Sequence, residues 1–261
     1  MMSEDQDFTH FISRIKRKTG IDLSQYKEGQ MKRRLTTLRM KHGFGSFAEY
    51  DEAMEHNRAL LNEFLDRMTI NVSEFWRNPA RWEVLRDRFL PLMLENRTSR
   101  LRLWSAACST GEEPYTLTMI LNELGVMERC SVLATDLDST VLHKAKEGVY
   151  LERSLRDVPS NCKSKYFQSS EGAYVISDIL KRGIRFEQQN LLHDPFESGF
   201  DLIVCRNVMI YFTDEAKHLL YHKFAAALKS GGILFVGSTE QIFSPGQYGL
   251  ETADTFFYRK M

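Results

Sequence analysis

The sequence has few cysteines, and none of them forms a metal-binding pattern. Four cysteines occur in 261 residues, at positions 108, 130, 162 and 205, without a CxxC pair or a nearby histidine cluster. This spacing lacks the usual zinc signatures, so we predict no metal site. Free thiols and an acidic start, "MMSEDQDFTH", without a signal-peptide core are typical of a cytoplasmic protein. No apolar run approaches the ~20 residues of a membrane span, so we expect no membrane insertion.

The chain also lacks a net charge, because Lys+Arg and Asp+Glu both number 35. The basic residues are nevertheless unevenly distributed. Between Thr9 and Lys41 the sequence contains ten Lys or Arg residues and only two acidic residues, Asp22 and Glu28. A basic segment on a neutral protein favours an acidic partner.

The apolar pattern predicts two regions of different architecture. Residues 8 to about 70 show helical spacing only, with breaks at Gly20 and at "HGFGS" (42–46). We therefore predict an all-α N-terminal domain over residues 1–70, connected to residues 71–261 through "INVSEFWRNPARW". Its predicted inward stripes are Phe8, Phe11, Ile12 and Ile15, then Met31, Leu35 and Leu38, then Leu60, Leu61, Phe64, Leu65 and Met68.

Short apolar runs alternate with helical stretches after about residue 100. The runs are "LRLWSAA", "CSVLATD", "IRFEQQN", "FDLIVCRNVMIYF" and "ILFVGS", and the chain closes with "DTFFYRK". This alternation predicts an α/β domain, a parallel sheet with helices on both faces. Residues 152–183 interrupt it with "KYFQSS", "EGAYVISD" and "GIRFEQ", which we interpret as short antiparallel strands of a small inserted subdomain.

The first strand-to-helix turn, "SAACSTGEEPYTL", lacks a glycine-rich phosphate loop. Neither GxGxxG nor GxxxxGK[ST] is present; one glycine, Gly111, is followed by Glu112 and Glu113. Two carboxylates repel phosphate and suit a cationic ligand. The alternative is that acidic residues in a first helical turn only complement the helix dipole.

The second strand ends in "ATDLD", which places Asp136 where a ribose diol is commonly bound. Together the two turns predict a nucleoside with a cationic tail and no phosphate, which describes S-adenosylmethionine. The alternative for Asp136 is a helix N-cap for the helix that begins near Ser139.

Several long motifs resemble those of the chemotaxis receptor methyltransferases, the CheR family. They are "LDRMTINVSEFWRN", "WSAACSTGEEPYTL", "ATDLD", "NLL", "DLIVCRNVMIYF" and "GILFVGSTEQIF", and the resemblance covers nearly the whole chain. It implies an all-α N-terminal domain and a Rossmann-like methyltransferase domain with a small antiparallel β-subdomain. It also implies methyl transfer from S-adenosylmethionine to glutamate side chains on the cytoplasmic helices of methyl-accepting chemotaxis receptors, with S-adenosylhomocysteine as product. Some members use the β-subdomain to dock a tethering peptide at a receptor's C-terminus, which we do not predict for residues 152–183.

The resemblance also implies site residues. The implied cofactor contacts are Asn71, Ser73, Arg77, Glu113, Asp136, Asn190, Leu191, Asn207 and Val208. Among these, Glu113 corresponds to the acid that meets the ammonium of the methionine end, and Asp136 to the ribose ligand. Position 73 is Thr in some members, and either hydroxyl donates the same hydrogen bond.

Two residues are candidates for the reaction itself. A glutamate acceptor is already ionised and needs no general base, and a cation clamped on it would stabilise the reactants. We therefore predict that Arg77 mainly positions a carboxylate, either that of the cofactor or that of the incoming glutamate. The alternative is a surface ion pair with Glu74 on a helix. Tyr211 is a candidate to face the reacting methyl group. The alternative, to which we give equal weight, is that Tyr211 only packs after a strand.

The basic segment supplies a predicted substrate-binding face. If "QMKRRLTTLRMKH" is a helix with Met31, Leu35 and Leu38 inward, its basic side chains lie on other faces. The candidate substrate contacts are Lys32, Arg33, Arg34 and Arg39. The alternative interpretation is that these basic side chains form only a solvated face and bind no partner. Two functional alternatives also remain: a nucleic-acid methyltransferase, which would need stacking aromatics that we do not find, and a non-enzymatic sensor of S-adenosylmethionine.

Overall fold

A computed structural model describes residues 3–69, 71–95 and 97–261. These residues form two compact units, one of residues 3–69 with 209–219 and the other of residues 71–95 and 97–208 with 220–261. The short segment Met209–Leu219, which follows a strand of the second unit in sequence, therefore groups with the N-terminal helices. No helix in the described part of the chain has the length and apolar character needed to cross a membrane.

The first unit is helical, as the sequence predicts. Its helices are α1 (Glu4–Thr19), α2 (Glu28–Lys41), α3 (Phe47–His56) and α4 (Arg58–Met68). Ser3 caps α1 in a capping box with Gln6, which satisfies backbone N–H groups at the helix start. The core contains Phe11, whose ring lies 4.9 Å from Phe47 and 5.7 Å from Phe64 between ring centroids. The predicted stripe of α2, Met31, Leu35 and Leu38, is buried.

The second unit contains a seven-stranded mixed sheet. Its strands in chain order are β1 (Leu101–Ala106), β2 (Cys130–Asp136), β6 (Ile184–Gln188), β7 (Phe200–Cys205), β8 (Leu228–Val236), β9 (Leu250–Asp254) and β10 (Phe257–Lys260). The spatial order is β6-β2-β1-β7-β8-β10-β9. The first five of these are parallel, whereas β10 is antiparallel to both of its neighbours. The predicted α/β class is confirmed, and β9 is a strand that the sequence did not indicate.

A second, three-stranded antiparallel sheet confirms the predicted β-subdomain but changes its composition. It consists of β3 (Val149–Leu151), β4 (Phe167–Ser170) and β5 (Ala173–Ile176), in the order β3-β5-β4. The prediction of "IRFEQQN" as a run of the main sheet is confirmed, and the assignment of "GIRFEQ" to this subdomain was wrong. That segment is β6, which pairs in parallel with β2 from Val132–Ile184 to Asp136–Gln188 and so completes the main sheet.

The remaining helices of the second unit connect these strands. They are α5 (Pro79–Val84), a π-helical turn (Leu85–Phe89), α6 (Leu90–Leu94), α7 (Glu112–Glu123), α8 (Ser139–Glu147), α9 (Ser160–Tyr166), α10 (Asp178–Lys181) and α11 (Asp214–Ala227), the last beginning in the first unit. The strand order reverses between β1 and β7. Ligands of open α/β sheets bind beyond the carboxyl ends of the strands at such a point, so this edge is where the predicted site residues are sought.

Candidate functional site

The turn after β1 is tightly wound and fixed to the tip of β2. Ala107, Ser109 and Gly111 all have positive φ angles, 61°, 48° and 95°. A Cβ on Gly111 would lie 2.9 Å from the Ala145 Cβ, so only glycine fits there without displacement. The Ser109 backbone N–H donates to Asp136 Oδ2 at 2.8 Å. The single glycine of the turn is therefore required by both its backbone angle and its close contact with α8.

Asp136 is held at the tip of β2 by two backbone donors. Besides Ser109, the Asp138 N–H donates to its Oδ1 at 3.0 Å. Burial outweighs these bonds and raises the pKa of Asp136 to about 6. The interpretation of Asp136 as the cap of α8 was wrong, because Asp138 is the N-cap and accepts from the Thr140 N–H at 2.8 Å.

Glu113 and Glu112 have different environments although they are adjacent. Glu113 Oε1 accepts from the Ser105 hydroxyl at 2.8 Å, and Oε2 lies 4.0 Å from Arg206 Nη1. Burial raises the pKa of Glu113 to about 7, an effect that the Arg206 charge opposes. Glu112 is buried and accepts from the Thr110 hydroxyl at 2.7 Å. Burial raises the pKa of Glu112, an effect that the Thr110 and Ser73 hydroxyls oppose. Glu113 is thus the carboxyl at the switch point, whereas Glu112 is bonded within the preceding loop.

Arg206 is a buried cation that the sequence reasoning did not identify. Its guanidinium lies 5.3 Å from the Trp82 ring centroid and 4.8 Å from that of Phe235. Its Nη2 donates to the Arg77 carbonyl at 2.7 Å and to Asn78 Oδ1 at 2.9 Å. Arg206 therefore connects the end of β7 with the segment that precedes the sheet.

That segment, residues 71–78, is not helical. Trp76 and Asn78 have positive φ angles of 54° and 62°, and the Trp76 N–H donates to Thr116 Oγ1 at 3.1 Å. The alternative ion pair of Arg77 with Glu74 on a helix is therefore wrong. Glu74 instead lies 3.7 Å from Arg156. The Arg77 charge acts on both Glu113 and Arg206, lowering the pKa of each.

Three further predicted contacts lie at the tips of neighbouring strands or in the segment before them. Asn71 Nδ2 donates to Asp138 Oδ2 at 3.1 Å. Asn190, two residues after β6, accepts from the Leu192 N–H at 3.0 Å, and Leu191 is buried. Gln189, between β6 and Asn190, donates its N–H to the Asp136 carbonyl at 2.9 Å, which holds the β6 tip against that of β2.

The tip of β7 is bound to a carboxylate from the loop after β8. Asn207, with φ of 60°, donates its N–H to Glu240 Oε2 at 2.6 Å, and the Gly237 N–H donates to the same oxygen at 2.8 Å. Within the described residues Asn207 Oδ1 is buried without a hydrogen-bond partner. Val208, which follows it, is half-buried. Glu240 was not singled out from the sequence, although it lies in the motif "GILFVGSTEQIF".

All nine predicted cofactor contacts therefore lie in the second unit, at the strand tips or in the preceding segment. The predicted substrate contacts and Tyr211 lie in the first unit. There the Tyr211 carbonyl accepts from the Lys27 N–H at 2.8 Å, and its ring centroid lies 5.8 Å from the Arg34 guanidinium.

The four basic candidates of α2 are not equivalent. Arg33 is exposed, whereas Lys32 forms an ion pair with Asp5. Arg34 Nη1 donates to the Met68 carbonyl at 2.7 Å. Arg39 is buried, donates to the Gly45 carbonyl at 2.8 Å and lies 4.7 Å from the Phe47 ring centroid. The expectation that Arg39 lies on an open face was wrong, because these contacts place its guanidinium in the core.

Comparison with known proteins gives a consistent assignment over both units. Residues 71–257 match the family described as CheR methyltransferase, SAM binding domain, and residues 6–69 match CheR methyltransferase, all-alpha domain. The "Chemotaxis protein methyltransferase" of Listeria monocytogenes is 43% identical over 256 residues, covering 98% of this chain and 98% of that protein. The protein of the same name from Borreliella burgdorferi is 34% identical over 267 residues, covering 97% and 94%. "Chemotaxis protein methyltransferase 1" of Pseudomonas aeruginosa is 33% identical over 253 residues, covering 93% and 92%. With a matching methyltransferase domain, a matching helical domain and relatives of nearly equal length, this chain belongs to the CheR methyltransferase family.

Proposed function

We propose that this chain transfers a methyl group from S-adenosylmethionine to glutamate side-chain carboxylates of chemoreceptors, forming methyl esters for chemotactic adaptation. Glu113 at the sheet switch point carries the proposal, because its largely buried carboxyl is held by the Ser105 hydroxyl at 2.8 Å and suits a cationic ligand. The family match and the names of the relatives support methyl transfer in chemotaxis. The glutamate acceptor and the cytoplasmic receptor domain as partner are our inference.

The residues present fit S-adenosylmethionine. Two carboxyls lie beyond adjacent strands: Glu113, in the first turn of α7 and bonded to Ser105 of β1, and Asp136, at the end of β2. Asn207 Oδ1 and Ser109 Oγ are buried without partners in the part of the chain that the structure describes. The edge thus has unused hydrogen-bond acceptors and two acidic groups, which favour a ligand that brings N–H donors, hydroxyl donors and positive charge. We assign Glu113 to the ammonium of the methionine end and Asp136 to the ribose.

The other contacts complete this assignment. Asn190 and Leu191, on the loop beyond β6, would contact the adenine, and Asn207 and Val208 would form the floor beside the methionine end. Asn71 acts partly through its neighbour, since it donates to Asp138, and the Ser73 hydroxyl lowers the pKa of Glu112. The preceding segment thereby orders the two turns that surround the nucleoside.

S-adenosylmethionine, when bound, supplies an electrophilic methyl group on a sulfonium. The chain needs no general base, because a glutamate acceptor is ionised near pH 7. Charge is neutralised as the reaction proceeds, so a cation clamped on the acceptor would stabilise the reactants more than the transition state. We therefore assign to Arg77 the positioning of a carboxylate, and to the pocket the exclusion of water. Tyr211 remains a candidate for aligning the acceptor.

The acceptor protein would be recruited by the basic face of α2. Arg33 is exposed, whereas Lys32 and Arg34 are half-buried and already bonded to Asp5 and to the Met68 carbonyl, and Arg39 is buried. An acidic methylation helix of a receptor complements such a face and would be steered to it. Arg33 is the clearest candidate because it is the most exposed of the four.

The test uses S-adenosylmethionine labelled in its methyl group and a receptor cytoplasmic fragment. We expect protein-bound label that mild base releases as methanol, and no transfer to a fragment whose acceptor glutamates are alanine. The matched control is Glu113→Gln, which should not transfer label. Label appearing in RNA or DNA would indicate a nucleic-acid methyltransferase. Binding of S-adenosylhomocysteine without transfer to any receptor fragment would contradict the enzymatic role.

A further inference from the structure

One carboxylate oxygen holds two strand tips of the main sheet together. Glu240 Oε2 accepts from the Asn207 N–H at 2.6 Å and from the Gly237 N–H at 2.8 Å. Asn207 follows β7 and Gly237 follows β8, so the loop carboxylate fixes the backbone just beyond the ladder between these strands. Charge-assisted bonds of this kind are short and strong, so the two backbone groups are firmly held.

The Glu240 carboxylate is buried in close contact with Gly237. Glu240 is only 5% exposed. A Cβ on Gly237 would collide with Glu240 Oε2 and would lie 2.9 Å from the Asn207 nitrogen. Burying a carboxylate costs free energy, and the two backbone hydrogen bonds offset part of that cost.

Asn207 is the residue that this contact constrains. Its φ of 60° is the left-handed conformation, which asparagine tolerates better than most residues but which still needs support from its surroundings. Asn207 Oδ1 is buried, and no group among the described residues donates to it. A buried acceptor without a partner is expensive unless a ligand satisfies it.

We propose that Glu240 is a positioning residue, which holds the Asn207 backbone in its left-handed conformation so that Oδ1 can accept a hydrogen bond from the bound cofactor. This inference rests on the proposed function, because it takes the ligand to be S-adenosylmethionine or its product. Glu240 itself need not touch the ligand. It acts through the geometry of Asn207.

Glu240 also has an electrostatic effect that must be separated from positioning. Its charge raises the pKa of Glu113, which Arg206 and Arg77 lower. Two substitutions separate the two effects. Glu240→Gln keeps an oxygen at the position of Oε2 and removes the charge, whereas Glu240→Asp keeps the charge and withdraws the oxygen by one methylene.

The experiment measures the affinity of the full chain for S-adenosylhomocysteine by calorimetry. We expect Glu240→Gln to remain within about threefold of the wild type, because the amide oxygen still accepts both N–H groups. Glu240→Asp and Glu240→Ala should each lose about tenfold or more, the scale of one hydrogen bond to a charged or constrained group. Gln241→Ala, at the exposed neighbouring position, is the matched control and should bind as the wild type.

A double-mutant cycle tests whether Glu240 acts through Asn207. Asn207→Gly removes Oδ1 without backbone strain, because glycine adopts positive φ freely. We expect Glu240→Ala combined with Asn207→Gly to bind no more weakly than Asn207→Gly alone. Should Glu240→Ala fail to fold by its thermal melt, Glu240→Asp takes its place in the cycle.

The outcomes distinguish this inference from the function on which it rests. Wild-type protein that binds neither S-adenosylmethionine nor S-adenosylhomocysteine would overturn the proposed function. Wild-type binding with Glu240→Asp unimpaired and Glu240→Gln impaired would overturn positioning in favour of charge. Additive losses in the cycle would overturn the route through Asn207 while leaving the proposed function intact.

Discussion

Arg206 Nη1 lies 4.0 Å from Glu113 Oε2, which places a buried guanidinium beside the carboxyl at the sheet switch point. The same guanidinium donates through Nη2 to the Arg77 carbonyl and Asn78 Oδ1. One side chain therefore balances part of the Glu113 charge and fixes the segment that carries Arg77. The consequence is a carboxyl whose ionisation depends on burial, on Arg206 and on any cationic ligand that enters.

The first prediction concerns the pH dependence of cofactor binding. Burial raises the pKa of Glu113 to about 7, so the fraction of ionised carboxylate increases from pH 6 to pH 8. A ligand ammonium binds the ionised form, so affinity for S-adenosylhomocysteine should rise over this range, by at most about tenfold per pH unit below the pKa. Calorimetry from pH 5.5 to 8.5 measures this affinity.

Glu113→Gln is the control for that measurement. It should bind more weakly at pH 8 and show little change between pH 6.5 and 8. The affinity of this variant should still decrease as the pH falls below about 6, because burial raises the pKa of Asp136 to about 6. Wild-type affinity that stays constant or falls from pH 6 to 8 would contradict the role of Glu113.

The second prediction concerns the stability of the ligand-free protein. Because burial raises the folded-state pKa of Glu113 from 4.5 to about 7, the folded state binds more protons than the unfolded chain between these values. The stability linked to this group is present below pH 4.5 and is lost as the pH rises through about 7. Glu113→Gln should therefore raise the free energy of unfolding by about 1–3 kcal/mol at pH 8 and little at pH 5.

Urea unfolding at the two pH values checks this difference. Glu251→Gln removes an exposed carboxylate that lies 3.3 Å from Arg259, and it should change stability by less than about 0.5 kcal/mol at either pH. Equal effects of Glu113→Gln at pH 5 and pH 8 would show that its folded-state pKa is not raised. If Glu113→Gln is more stable but has lost cofactor affinity, then this carboxyl lowers stability while it supports function.

The third prediction concerns Arg77. Only its backbone carbonyl takes part in the Arg206 contact, and within the described residues its guanidinium has no ion pair within 4 Å. Arg77→Ala should therefore keep the melting temperature within about 2 °C of the wild type. Turnover with a receptor fragment should fall about 100-fold or more, because the carboxylate that Arg77 positions is no longer held in place. Arg77→Lys should recover only part of it, since lysine lacks the planar fork.

Arg156→Ala is the matched control for Arg77. Arg156 is exposed and lies 3.7 Å from Glu74 in the same segment, so its removal should leave turnover and cofactor affinity unchanged. Near-normal turnover of Arg77→Ala would refute the positioning role.

The sequence predicts most of the sheet because central strands are continuous apolar runs. The segment of β6 was assigned both to the parallel sheet and to the antiparallel subdomain, because Ile184 and Phe186 alternate with Arg185 and Glu187, a pattern that exposed antiparallel strands share with the edge strand of a parallel sheet. Only the pairing with β2 distinguishes the two.

Candidate residues could be selected from the sequence where a short motif contains its own chemistry, but not where packing supplies it. Asp136 ends β2 and Glu113 lies in the first turn of the helix after β1, so the two motifs alone were enough to select both residues as candidates. Arg206 was missed because its burial depends on Trp82 and Phe235, which are distant in sequence. Arg39 was misplaced for a similar reason, since Phe47 belongs to the next helix. A periodicity within one helix does not report which polar residues a neighbouring element covers.

The fourth prediction separates binding from stability among the basic residues of α2. Arg33 is exposed, so Arg33→Glu should leave the melting temperature unchanged, slow methylation of a receptor fragment and weaken its dependence on salt. Arg39→Ala removes a buried guanidinium and the bond to the Gly45 carbonyl, so it should lower the free energy of unfolding by about 1–3 kcal/mol. Initial rates between about 20 and 300 mM salt and urea unfolding measure the two effects.

Arg58→Glu is the matched control, because Arg58 is an exposed arginine in the same unit and its reversal changes the net charge equally. If the basic face of α2 guides an acidic helix locally, Arg33→Glu should slow methylation more than Arg58→Glu does. Equal slowing by the two variants would show that only the total charge matters. An unchanged rate and salt dependence for Arg33→Glu would remove this residue from the proposed receptor-binding face.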